Sequence, residues 1–139
     1  EQEASEAQCQ IVIDKEKLRR GWEEHFGYLT DHGYTVLLGE FGGNLNWPEG
    51  GSSKAIDQWS HVPIGAEKAF QETLIEYMMD KNIQGCYWAI NPESSDDDFR
   101  GGLYTTPYIP IVNESGWGQW GTFDTEKQAL LYKLWGIKK

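Results

Sequence analysis

The chain has 139 residues, enough for at most one ordinary domain, and a formal net charge of −10. Its 22 acidic residues outnumber its 12 Lys and Arg residues, so electrostatic repulsion argues against a nucleic acid or an anionic membrane as a partner. The sequence contains no run of about 18 apolar residues. No membrane-spanning segment is therefore predicted.

Residues 1–13 are largely acidic and polar and are interpreted as a leader or loop. They lack the charged, apolar and small-residue regions that make up a signal peptide. Because the first residue is Glu rather than Met, we expect a processed or cut chain.

A first helix is predicted from Asp14, which can cap its N-terminus, to about Thr30. Gly33 is expected to end it. One apolar face recurs at helical spacing and is formed by Leu18, Trp22, Phe26 and Leu29.

The next segment, Thr35–Phe41, is an apolar run interrupted by Glu40 and stopped by two glycines. Such a run, bounded by turn residues, is typical of a buried strand. Because burial of an ionised carboxylate is costly, Glu40 at the end of this strand is either an ion-pair partner or a working carboxylate.

The remaining pattern predicts a helix over residues 66–81, a second apolar strand over Gln84–Ile90, and a last helix capped by Asp124. Asn91-Pro92 closes the second strand. The inner side of the middle helix is expected to carry Phe70, Leu74, Tyr77 and Met78. The buried stripe of the last helix is expected to carry Ala129, Leu130, Leu134 and Trp135.

Helices and strands thus alternate, and both strands are apolar on both faces, as in a parallel sheet covered by helices. Long segments, residues 42–64 and 93–123, follow the two strands, and loops of this length are usually functional. In a (β/α)8 barrel the loops after the strands form the catalytic face, where Glu40 and Trp88 would stand. Two strands cannot close such a barrel, so we expect another polypeptide to complete the fold.

Two motifs, Leu38-Gly39-Glu40-Phe41-Gly42-Gly43 and the segment from Gly85 to Ser94 (GCYWAINPES), together resemble glycoside hydrolase family 5. The likeness is strongest to its secreted endo-β-1,4-glucanases, or cellulases. It implies that residues 1–139 are the C-terminal portion of one (β/α)8 TIM barrel, about strands 7 and 8 with flanking helices. It also implies a secreted, extracellular protein.

The resemblance implies a retaining glycosidase that hydrolyses cellulose or other β-1,4-glucans and has Glu40 as its nucleophile. Trp88 would stack on the sugar at the cleavage point, and Asn91 would fix the loop or a hydroxyl. Trp47 and Trp59, or Trp117 and Trp120, would line outer subsites.

The acid/base residue of the family is expected in the N-terminal portion of the barrel, present as a separate chain. Asn113-Glu114 is the one Asn-Glu pair of the sequence. It follows Glu40 instead of preceding it, and it is interpreted as surface. Asn113 also begins a glycosylation sequon, a weak pointer to secretion.

No metal or cofactor is predicted. His25, His32 and His61 are scattered without ligand spacing, and Asp96-Asp97-Asp98 lacks the alternation of a calcium loop. This acidic segment also departs from the pattern of the resembled family. It is interpreted as a reshaped, solvated turn.

The two cysteines leave alternatives open. Cys86 lies in an apolar run and is expected to be a buried free thiol, whereas Cys9 lies in the polar leader. They could pair with each other, or Cys9 could pair outside the chain.

The function also has alternatives. Seven Trp, seven Tyr and five Phe in an acidic chain suit a neutral polyhydroxylated ligand, because sugar rings stack on aromatic faces and carboxylates accept from hydroxyls. A non-catalytic glucan-binding module would use the same side chains. A mannanase of the same fold would keep the catalysis and change the substrate.

Overall fold

A computed structural model describes residues 13–43, 45–47, 57, 59–88 and 125–138. In chain order its elements are α1 (Lys15–Trp22), a π-helical turn (Glu23–Gly27), α2 (Tyr28–Asp31), β1 (Leu37–Phe41), α3 (Ala66–Asp80), β2 (Gln84–Tyr87) and α4 (Thr125–Trp135). The predicted alternation of helices and strands is confirmed. Within these ranges, no helix is both long and apolar enough to cross a membrane.

The first helical stretch begins where the sequence predicts, because the Asp14 carboxylate accepts the backbone N–H of Lys17 at 2.9 Å. It ends near Gly33, whose φ of 83° suits glycine at the end of a helix. The stretch is not one uniform α-helix, since the turn Glu23–Gly27 is π-helical.

Tyr77 of α3 holds this π-helical turn against α3. Its hydroxyl donates a hydrogen bond to Glu23 at 2.6 Å and packs against Gly27, where a side chain would overlap it. Lys81 adds ion pairs to Glu23 at 3.0 Å and to Asp31 at 2.8 Å. The turn therefore brings a glycine and a carboxylate to the same tyrosine.

Strands β1 and β2 are hydrogen-bonded neighbours and run parallel, as predicted. β1 begins two residues later than the sequence indicates. In β2, Ala89 and Ile90 lie outside the described residues. The register pairs Leu37 with Gln84, Leu38 with Gly85 and Phe41 with Tyr87, with an irregularity between Leu38 and Phe41.

The core lies between the helices and one face of the strand pair. Its buried members are Phe41, Leu74, Ile75, Tyr77, Met78, Ile83, Leu131 and Leu134. The predicted inner side of α3 is therefore confirmed, with Phe70 partly buried against the cluster.

The predicted stripe of α4 is wrong in part. Leu134 is buried and Leu130 partly buried, but Ala129 and Trp135 are exposed. Lys127 and Leu131 take their places in the interior. A spacing of four and then three residues puts 127, 131 and 134 on one face. Lys127 lies on this face with its whole side chain buried, at 3% exposure.

The expectation that both faces of each strand are buried does not hold within the described residues. Leu37 is 61% exposed and Trp88 52% exposed. Helices cover one face of the strand pair, and none of the described elements covers the other.

Candidate active site

One face of the strand pair packs against the helices. Leu38 and Tyr87 contact the core, and Phe41 belongs to it. A Cβ on Gly85 would lie 2.7 Å from Cε of Met78 and 2.8 Å from Cε1 of Phe41. A side chain at this point between the sheet and α3 would require Met78 or Phe41 to shift.

The opposite face carries exposed residues throughout, and we call it the open face. Because side chains alternate along a strand, Leu37 and Gly39 of β1 lie on it together with Gln84 and Cys86 of β2. The open face also includes Glu40 and Trp88, the residue that follows β2. All of its residues are exposed: Leu37, Gly39, Glu40, Gln84, Cys86 and Trp88.

A break in the alternation brings Glu40 to this face. Between the pairs Leu38–Gly85 and Phe41–Tyr87, two residues of β1, Gly39 and Glu40, oppose the single residue Cys86. Two residues opposite one define a β-bulge, which re-aims side chains. Strict alternation would have turned Glu40 toward the helices with Leu38. In the bulged strand Phe41 takes that inward place, and Glu40 is exposed.

Glu40 and Trp88 lie at the carboxyl ends of the two neighbouring strands. The backbone N–H of Trp88 donates to the carbonyl oxygen of Phe41 at 2.8 Å. The carbonyl oxygen of Trp88 lies so close to Gly42 that a side chain there would overlap it. The two predicted residues therefore share one face and one end of the sheet.

The Glu40 carboxylate makes no hydrogen bond or ion pair among the described residues. The ion-pair partner that is one of the two alternatives for Glu40 is thus not found within these ranges. A carboxylate that is exposed and without protein partners is open to a ligand.

The other predicted sugar-binding residues are not joined to this pair by the contacts described. Trp47 is half-buried in a turn of residues 45–47. Trp59 is 40% exposed, and its ring centroid lies 5.8 Å from that of His61. Asn91, Trp117 and Trp120 lie outside the described residues, as do Asp96-Asp97-Asp98 and Asn113-Glu114.

The prediction of a buried thiol at Cys86 is wrong. Cys86 is free and exposed, because its position in β2 points away from the helices, between Gln84 and Trp88 on the open face. Cys9 lies outside the described residues.

The histidines show no metal-site geometry in this part of the chain. His25 Nδ1 lies 2.7 Å from the carbonyl oxygen of Gly21, and His32 Nδ1 lies 2.9 Å from that of Tyr28. Each ring is thus bonded to its own helix. The described ranges hold no group of three or more His, Cys, Asp or Glu that could bind a metal ion.

Two residues near the site were not singled out in the sequence. Glu67 and Gln71, on the first turns of α3, lie against Gly43, three residues after Glu40. Gln71 Nε2 donates to Glu67 Oε1 at 2.8 Å. Burial raises the pKa of the Glu67 carboxyl, and the hydrogen bond from Gln71 opposes that rise. The sequence signal for this hydrogen-bonded pair is the i, i+4 spacing of Glu67 and Gln71 on a predicted helix.

Known proteins are similar to nearly the whole chain. The family model described as "Cellulase (glycosyl hydrolase family 5)" matches residues 2–94, more than half of the sequence. Endoglucanase C of Cellvibrio japonicus is 46% identical over 136 residues, covering 97% of this chain. The Major extracellular endoglucanase of Xanthomonas campestris pv. campestris is 33% identical over 83% of the chain, and Endoglucanase G of Acetivibrio thermocellus is 29% identical over 84%.

The chain spans only a small part of these relatives, 18% of the first two and 15% of the third. No solved structure matches it. The family match covers both motifs on which the resemblance rests, the one around Glu40 and the one that ends at Ser94. The chain belongs to glycosyl hydrolase family 5.

Proposed function

We propose that this chain supplies the nucleophile half of the active site of a secreted, retaining endo-β-1,4-glucanase. The observation that supports the proposal is the placement of Glu40 and Trp88, both exposed, at the carboxyl ends of adjacent parallel strands. A nucleophilic carboxylate and an indole at the same end of one sheet suit attack on a sugar ring that stacks on the indole. The names of the similar proteins, all endoglucanases, support the substrate class.

In this mechanism Glu40 attacks the anomeric carbon and forms a glycosyl-enzyme, while a second carboxyl protonates the leaving oxygen. The same second carboxyl then takes a proton from water, which displaces Glu40 and retains the anomeric configuration. The two carboxyl groups should lie about 5–5.5 Å apart. The second group is proposed to come from the N-terminal portion of the barrel.

Substrate binding would rest on stacking and on charge. Trp88 is 52% exposed and offers an indole face to the C–H groups of a glucose ring. Trp47 and Trp59 are proposed for outer subsites, and Asn91 for the loop or a hydroxyl. A net charge of −10 favours a neutral polymer over an anionic one.

The N-terminal portion of the same barrel, present as a separate chain, is the proposed partner. The exposure of the open face, with Leu37 61% exposed, supports a covering layer, since apolar strand surface is normally buried. Strands 7 and 8 of a (β/α)8 barrel would correspond to β1 and β2. Native mass spectrometry of an active preparation should find this chain bound to a second polypeptide. An active 139-residue monomer would refute the partner.

Replacement of the nucleophile tests the activity. Glu40→Gln keeps the shape of the side chain and removes its charge, so cellooligosaccharide hydrolysis should fall by about 10⁴-fold or more. Oligosaccharide binding, measured by calorimetry, should remain. Glu24→Gln, on an exposed position of the π-helical turn, is the matched control and should hydrolyse at the wild-type rate.

The outcomes separate the alternatives. Turnover that survives Glu40→Gln would show that Glu40 is not the nucleophile. A wild-type protein that binds glucan without hydrolysing it would instead be a binding module. Faster hydrolysis of mannan than of glucan would point to a mannanase of the same fold.

A further inference from the structure

The glycine pair that follows Glu40 is enclosed on two sides. On one side the carbonyl oxygen of Trp88 approaches Gly42. On the other side a Cβ at Gly43 would lie 2.6 Å from Glu67 Oε1 and 2.7 Å from Gln71 Nε2. The backbone that leaves the bulged strand therefore runs between the β2 terminus and α3.

The α3 side of this enclosure is polar and buried. Gln71 is 2% exposed, and its amide donates to Glu67 at 2.8 Å. A buried polar group is costly unless it is hydrogen-bonded, so the buried Gln71 and the half-buried Glu67 hold each other in one arrangement. Replacement of one member would leave the other without its partner.

We infer that Glu67 and Gln71 are positioning residues for Glu40. Their hydrogen-bonded side chains form a fixed support against Gly43, and this support holds the end of the bulged strand so that Glu40 stays on the open face. The inference rests on the proposed function, because positioning matters only if Glu40 is the nucleophile. Neither residue need touch substrate.

The support contacts the chain close enough to Glu40 for its loss to change the rate of attack by Glu40 measurably. Gly43 is three residues from Glu40, and the intervening Phe41 and Gly42 are both in contact with β2. A displacement of about 1 Å at a reacting group can cost about 10²-fold in rate. A shifted Gly43 would therefore slow attack by Glu40 without changing the surface that binds the sugar.

The test measures how fast Glu40 is labelled, in active protein that contains this chain. A 2-deoxy-2-fluoro-β-cellobioside with a good leaving group traps the glycosyl-enzyme, and mass spectrometry locates it. Gln71→Leu should reduce the labelling rate constant by about 10- to 100-fold, with inactivator binding unchanged. Glu67→Gln keeps an acceptor oxygen for Gln71 and should label within about three-fold of wild type, a loss of well under 1 kcal/mol.

Thr73→Val is the matched control. Thr73 is also buried on α3, 1% exposed, and its hydroxyl donates within the helix to Ala69 at 2.6 Å. It should lower the melting temperature while leaving the labelling rate unchanged. If Gln71→Leu does not fold, Glu67→Ala replaces it, since it removes the same hydrogen bond from a less buried position.

Each outcome is decisive. Wild-type labelling at Glu40 with no effect of Gln71→Leu, or an equal effect of Thr73→Val, would overturn the inference and leave the proposed function standing. A wild-type protein that is not labelled at Glu40 would refute the proposed function and the inference together.

Discussion

Phe41, not Glu40, lies opposite Tyr87 in the strand pair. The two rings meet edge to face, with centroids 5.5 Å apart, and both contribute to the packing against the helices. The extra residue in β1 makes this pairing possible and leaves Glu40 exposed. A carboxylate in the place of Phe41 would have to be buried against apolar side chains, at high cost.

The two faces of the sheet should respond differently to the same substitution. Gly85→Ala adds a methyl group 2.7 Å from Met78 and should destabilise the protein by about 1–3 kcal/mol. A Cβ at Gly39 would lie on the open face, with nothing within 4 Å among the described residues, so Gly39→Ala should lower the melting temperature less than Gly85→Ala does. Thermal unfolding of both variants checks this. Equal losses would contradict the assignment of faces.

The hydroxyl of Tyr77 should contribute measurably to stability. Tyr77→Phe removes its 2.6 Å hydrogen bond to Glu23, at 3% exposure, and should cost about 1–3 kcal/mol in urea unfolding. Tyr34→Phe removes a hydroxyl at 66% exposure and is the matched control, with no expected change. A Tyr77→Phe protein as stable as wild type would mean that Lys81 alone satisfies Glu23.

Ionisation of Glu67 should make the free energy of unfolding depend on pH, in the direction that its raised pKa determines. Burial raises its pKa in the folded protein above the ordinary value of 4.5. The stabilising contribution of the Glu67 carboxyl to the free energy of unfolding is therefore complete below pH 4.5. It is lost as the pH rises through the raised pKa of the folded state. Glu67→Gln should become more stable relative to wild type across that interval. Thr73→Val removes no titratable group and should keep the wild-type slope, and a Glu67→Gln curve parallel to wild type would contradict the prediction.

Sugar binding should shield Cys86, because Cys86 lies opposite Glu40 on the open face. In the Glu40→Gln protein, which should bind cellotetraose without hydrolysing it, labelling of the thiol by iodoacetamide should slow by about ten-fold with cellotetraose at ten times its Kd. Maltotetraose, with the wrong linkage, is the control sugar and should not protect. Peptide mapping separates Cys86 from Cys9. Equal labelling with both sugars would place the substrate away from this face.

Several features could be predicted because local chemistry decides them. Asp14 can cap a helix with its own carboxylate, and Gly33 can adopt the positive φ that ends one. Alternating helices and apolar strands leave few arrangements other than a parallel sheet. The same pattern put Glu40 and Trp88 at one end of that sheet, as the structure has them.

Other features depend on contacts that a periodic pattern does not contain. The predicted stripe of α4 is wrong in part because a lysine counts as polar in the pattern, whereas Lys127 is only 3% exposed. Cys86 was expected inside because an apolar run does not say which of its faces is covered. The bulge did leave a signal, since a lone glycine within a strand, here Gly39, often marks one.

The open face also affects how the protein loses activity on heating. It presents Leu37, 61% exposed, on a sheet of which the described residues form two strands, and unpaired strand edges pair readily with other extended chains. If the partner we propose is lost, a second copy of this chain is the nearest substitute. Heat inactivation should then proceed by aggregation, and its rate should rise with protein concentration.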